Sequence, residues 1–268
     1  ITMDGRSGQE RGLYYTEVDV NESNSAGIVN PNQKNIALRD ENNVPINSVY
    51  FPEGNYSEKA TTAKHCNGVD YWLVAQVGDK IYSYLVTSSG LSITPVAVSN
   101  ALYDVQDFSL AGLGQIKISP DGNRIAIAYG YINNPDGILA IGSFDSNTGE
   151  VDFDTTVQVN APDELDFYYG VEFSPYSKYV YFNVNKNLYR CNADNPANPN
   201  PELITATQGD SSSIQYRGQM QLAINGKIYI AHDNNDLPSN MLSVINNPDD
   251  PLNPDLHDNT VRWVQGVL

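Results

Sequence analysis

The stretch Gln115-Ile-Lys-Ile-Ser-Pro-Asp-Gly122, followed past Asn123 by Arg124-Ile-Ala-Ile-Ala128, carries the fold. Proline presets φ, aspartate bonds the backbone ahead of it, and glycine accepts a positive φ, so residues 119–122 form a hairpin corner. The flanking residues alternate in the period-2 pattern of strands.

The unit recurs. Thr62-Ala-Lys-His-Cys-Asn-Gly68 leads to Asp70-Tyr-Trp-Leu-Val-Ala75, Gly170-Val-Glu-Phe-Ser-Pro-Tyr-Ser177 to Lys178-Tyr-Val-Tyr-Phe182, and Gln219-Met-Gln-Leu-Ala-Ile-Asn-Gly226 to Lys227-Ile-Tyr-Ile-Ala231. The turn positions 68, 122, 177 and 226 are separated by 54, 55 and 49 residues. A third strand follows each pair at Lys80 to Val86, Ile138 to Phe144, Asn187 to Cys191 and Met241 to Ile245, and an outer strand is visible at Leu91 and at Glu150.

Antiparallel sheets repeating at this interval bury their faces only by stacking around an axis. The expected fold is therefore all-β, a β-propeller of roughly 50-residue blades, six or seven when complete and truncated at both ends here. The chain reads as a single propeller domain over 1–268, with a partial blade at 1–57 and further blades at 58–110, 111–166, 167–215 and 216–268. Gly12 to Val20 and Lys34 to Leu38 read as outer strands of the partial blade, Trp263 to Leu268 as an unfinished strand, and Ile1 as a mature or excised boundary. The Pro- and Asn-rich stretches 192–201 and 246–254 read as surface loops.

The 268 residues include 18 Tyr and 7 Phe and carry a formal charge of −17. Such a surface repels phosphate backbones, so nucleic acid is not an expected partner. No run of about 18 apolar residues is present to insert into a membrane. Cys66 and Cys191 are the only cysteines, leaving one disulfide or two free thiols open.

The phrase Ile118-Ser-Pro-Asp-Gly-Asn-Arg-Ile-Ala-Ile-Ala128 resembles the hairpin of WD40-like propellers in TolB-type periplasmic proteins. A wider resemblance runs through Gly12 to Asp19, Lys64 to Trp72, Tyr84 to Gly90, Phe144 to Val151, Tyr169 to Pro175 and Leu242 to Pro248. Together these look like the propeller region of Bacteroidota surface proteins exported by type IX secretion, including gliding-motility-associated adhesins. Cys66, where a small residue is expected, and the Ala223-Ile-Asn-Gly226 turn depart from that pattern. The resemblance implies an extracellular or outer-membrane-associated location within a longer polypeptide, whose other domains would be partners, and it brings no catalytic residues.

Chemistry-bearing patterns are sparse. Gly209-Asp-Ser-Ser212 is no nucleophile elbow and reads as a capped loop. The three histidines lack zinc spacing; His65 and His232 fall near strand ends, where either would line a central mouth or sit as a satisfied strand-end residue. Asp104, Asp107, Asp163, Glu164 and Asp166 precede inner strands, with Phe108 and Phe167 nearby, and are candidate acids for a propeller glycoside hydrolase or another hydrolase. Solvated loop acids are the plainer reading of these residues. No cofactor is expected; calcium at the acidic loops, including Asp145 to Gly149 and Asn246 to Asp250, is the open alternative.

The reading is thus a non-enzymatic surface or secreted module recognising a protein or glycan partner. Tyr168, Tyr169, Trp72, Asp107, His65 and His232 are its candidate ligand contacts, with blade packing the competing role for Trp72. The rivals are a hydrolase and an inert spacer.

Overall fold

The Gly122 N–H donates to the Ser119 carbonyl at 2.8 Å, closing the corner, and the same bond closes Gly68 to His65, Ser177 to Ser174 and Gly226 to Ala223. The last residue of each turn has positive φ, 78°, 75°, 62° and 76° in chain order. Three of the four are glycine, which enters that region without the Cβ clash that Ser177 bears. The computed structural model describes residues 1–3, 12–21, 24–46, 57–103, 112–133, 136–159, 167–195, 197–209, 211–212, 214–234 and 241–262.

Each turn joins the first two strands of an antiparallel sheet. Blade 1 comprises Ala60–Lys64, Tyr71–Val77, Lys80–Thr87 and Ala97–Asn100, with Gly90–Leu91 as a short addition to its third strand. Blade 2 comprises Ile116–Ile118, Arg124–Asn133, Asp136–Phe144 and Val151–Val157. Blade 3 comprises Tyr168–Phe173, Tyr179–Val184, Asn187–Asn192 and Glu202–Ile204.

Blade 4 comprises Ile214–Leu222, Ile228–Asn234, Met241–Ile245 and Leu256–Arg262. The connection from blade 3 first lays Gln208–Gly209 parallel to the outer strand of blade 4 and only then becomes its inner strand. Gly209 has no substitute there, since a Cβ would fall 1.7 Å from the Asp258 carbonyl oxygen. Ahead of blade 1, Thr2–Met3, Leu13–Tyr15 and Ile36–Ala37 form a small sheet, and Val18–Asn21 pairs with Asn24–Val29 as a separate hairpin. Among the described residues no helix is long and apolar enough to cross a membrane.

The cores lie between sheets. In Arg124–Asn133, Ile125, Ile127 and Tyr129 pack toward blade 1 against Trp72, Val74 and Ile81. The alternate residues Ala126 and Ala128 pack toward blade 3, which fills the gap with Tyr168, Phe173 and Phe182. Large side chains on one face and small on the other make stacked sheets interdigitate, and each buried aliphatic side chain contributes about 1.5–3 kcal/mol. Leu13, Leu38 and Ile46 cover the other face of blade 1, and Tyr181 and Leu188 of blade 3 meet Met220, Ile228, Ile230 and Ile245 of blade 4.

Polar latches at the turn end reinforce the stack. Trp72 Nε1 donates to the Ser146 carbonyl of the blade 2 outer turn (2.9 Å) and Ser83 Oγ to the Gly149 carbonyl (2.7 Å). Two blades on, Tyr181 Oη donates to the Pro248 carbonyl (2.8 Å), and Arg190 donates to the carbonyls of Asp250 and Pro251 (2.6 Å each). Cys66 is exposed and Cys191 buried; both are free thiols, and burial pushes the Cys191 thiol up to about 12.

Candidate functional site

The first strands of successive blades line the axis, and the polar side chains they carry meet across it. Gln115 of blade 2 joins three blades: its Oε1 accepts from Val171 N (3.2 Å) and Met220 N (2.7 Å), while its Nε2 donates to the Met220 carbonyl (3.2 Å). One turn-ward step along the strand, Lys117 Nζ reaches Glu172 Oε2 and Gln221 Oε1, both at 2.9 Å. Glu172 is buried and accepts from the Leu222 and Phe173 amides as well, so its carboxylate is fully engaged.

At the end away from the turns, Tyr169 Oη donates to Glu58 Oε2 at 2.8 Å, and the Gln219 side chain lies near the same phenol. Both Tyr169 and Glu58 are half-buried. The Phe167 ring lies 5.9 Å from that of Tyr169, tilted by 30°. Burial first, and then donation to the Glu58 carboxylate, push the Tyr169 phenol well above its ordinary pKa. It therefore remains a hydrogen-bond donor throughout the range in which proteins work.

Two buried cations support this end. Lys59 Nζ donates to the carbonyls of Leu113 (2.6 Å), Gly114 (3.3 Å) and Ala128 (2.6 Å) and stands 4.9 Å over the Tyr129 ring. Burial pulls its ammonium down to about 7, with Glu58 opposing. Arg217 forms a two-pronged bond to Asp258, 2.8 Å on each prong, and its Nε donates to the Lys186 carbonyl. Beside that pair, Ser211 and Ser212 line a cleft of about 440 Å³ between blades 3 and 4.

The sequence candidates separate in space. Tyr169 reaches across to Glu58 of blade 1, whereas its neighbour Tyr168 points to the opposite face, stacked on Phe182 and accepting from Val159 N at 2.8 Å. Trp72 is core, so a surface ligand meets neither Trp72 nor Tyr168. His65 sits in a turn at the other end, stacked on Trp72 at 5.2 Å, and His232 lies within blade 4 opposite Arg217. The two histidines therefore do not share a mouth. Asp107 lies outside the described residues, as do Asp104, Phe108, Asp163, Glu164, Asp166 and the stretch Trp263 to Leu268.

Asp145 accepts from the Asn147 and Thr148 amides, which hold its carboxyl below the usual range and account for that segment as a turn. Among the described residues, no three His, Cys, Asp or Glu gather as metal ligands. Glu58, Lys59, Gln115, Lys117, Glu172 and Arg217 were not among the sequence candidates. The signal that finds them is the aligned repeat, in which Lys117, Glu172 and Gln221 share one position two residues ahead of the turn.

The sheets, their order and the shared axis fix the architecture. The chain is a β-propeller. A solved protein from Lactobacillus plantarum superposes with a TM-score of 0.54 at 16% identity, covering 85% of this chain and 59% of its own. A candidate 6-phosphogluconolactonase from Bacteroides uniformis gives a TM-score of 0.50 at 16% identity, covering 84% of this chain and 61% of its own. The propeller thus spans about three fifths of the length of these two structures, and the likeness is one of fold. The sequence matches no family model and no curated protein.

Proposed function

We propose that this propeller is a non-enzymatic binding module of an exported surface protein, and that it takes a glycan at the channel mouth formed by Glu58, Phe167, Tyr169 and Gln219. The observation that carries the reading is the Tyr169–Glu58 hydrogen bond beside the Phe167 ring. Paired rings offer an apolar platform for the C–H face of a sugar, and a carboxylate and an amide next to them satisfy its hydroxyls. A rigid ring of sheets suits this work because it holds such groups fixed before the ligand arrives, lowering the ordering cost of binding. The surface location rests on the sequence resemblance to exported adhesins.

The test is a glycan array followed by titration calorimetry on any hit, comparing the native chain with Tyr169→Ala and Tyr169→Phe. Loss of the ring weakens binding by about tenfold or more, and loss of the hydroxyl alone by less. Silence across the array, or an affinity that ignores Tyr169, overturns the glycan site. Turnover of a glycoside or sugar lactone by the native chain replaces the binding reading with a hydrolase.

A further inference from the structure

The turn end of the propeller, opposite the Tyr169 mouth, carries a second feature. The corner formula places Pro120 and Asp121 on that surface in blade 2. Blade 3 puts Tyr176 at the aspartate position, 85% exposed, and blade 4 puts Ile224 at the proline position, 108% exposed; the blade 4 outer turn adds Leu252 at 93%. Turn geometry asks for none of them, because the positive φ falls on the later residues Ser177 and Gly226.

The three belong to adjoining segments. The Tyr176 N–H donates to the Asp249 carboxylate (3.1 and 3.4 Å), tying it to the turn that carries Leu252. The turn of Ile224 abuts that of Tyr176, since a Cβ on Gly226 would lie 3.9 Å from the Pro175 ring. Scattered exposed apolar side chains are ordinary, but large ones gathered on neighbouring turns mark contact surfaces.

Charge selects the occupant. Asp121, Asp249 and Asp250 fringe the group, and Asp250 is held ionised by the Asn253 and Leu252 amides. The nearby cations are engaged within the fold: Lys178 over Tyr179, Arg190 with Glu202 and two carbonyls, and Lys227 with Asn246. A chain of formal charge −17 repels a second copy of itself. We infer that the Tyr176–Ile224–Leu252 surface docks a protein segment in which apolar side chains are flanked by lysine or arginine, separately from any glycan at the other end.

Fluorescence anisotropy with three labelled synthetic peptides, alternating Leu/Lys, Leu/Glu and Ser/Lys, tests this. The Leu/Lys peptide binds best and weakens with added salt, and the triple variant Tyr176→Ser, Ile224→Asn, Leu252→Ser loses about tenfold or more in affinity while keeping its urea midpoint. Binding unchanged in the triple variant, equal binding of the Leu/Glu or Ser/Lys peptide, or self-association of the native chain that the triple variant abolishes, each overturns it. Calorimetric glycan binding at Tyr169 is unaffected by the triple variant, so failure at one surface is distinguishable from failure at the other.

Discussion

Lys59 and Arg217 stand at the same sequence offset in blades 1 and 4, six residues ahead of the turn, and both are buried cations where the other two blades place Leu113 and Tyr168. Their surroundings answer the charge differently. Lys59 is held by three backbone carbonyls, and Arg217 by the carboxylate of Asp258.

Removing one partner of a buried pair leaves the other charge uncompensated, whereas replacing both by apolar groups costs much less. Asp258→Ala is therefore expected to destabilise the propeller by about 3–5 kcal/mol, and the double variant Arg217→Met, Asp258→Leu by clearly less. Urea unfolding of the two variants checks the order.

The depressed Lys59 ammonium makes stability depend on pH. Between about 7 and its ordinary value of 10.5 the unfolded chain holds a proton that the folded chain has released, so this group makes stability rise with pH across that window. Below about 7 both states are protonated and the penalty is complete; above 10.5 it is gone. In Lys59→Met, the rise in urea midpoint between pH 7 and 10 that this lysine supplies disappears, and a native-like slope in the variant refutes the assignment.

Trp72→Phe and Tyr181→Phe each remove a latch donor while keeping a ring in the core. Each costs about 1–2 kcal/mol, and because the latches serve different blade interfaces the costs add to within about 0.5 kcal/mol. Chemical denaturation of the two single variants and the double variant reads both statements.

Ser177 holds φ at 62° and its Oγ accepts from the Asp121 amide at 3.1 Å. Ser177→Ala keeps the strain and loses the bond, whereas Ser177→Gly loses the bond and the strain together. The glycine variant is expected to be more stable than the alanine variant by about 1 kcal/mol, again by denaturant midpoint.

The turns and strands were legible because Pro, Asp and Gly at fixed offsets dictate backbone angles locally, without reference to the rest of the molecule. The site was not. Tyr168 and Tyr169 are chain neighbours and by sequence alone stand as two contacts on one surface, yet alternate strand residues face opposite ways, so one stacks in a core and the other reaches the axis. Lys59 and Arg217 escaped because a charged residue reads as solvated until three carbonyls or a facing carboxylate are known to await it. Sequence places His65 and His232 alike near strand ends, but an antiparallel sheet has two ends and they sit at different ones.

The two residues Gln208 and Gly209 carry a consequence for how the molecule comes apart. They clasp the rim of blade 4 on the way from blade 3 to its centre, so this sheet is held at its inner and outer margins by the same connection. Opening of the outer strand must undo that clasp, which couples the amide exchange of Leu256–Arg262 to that of Ile214–Leu222 and makes the two strands open together.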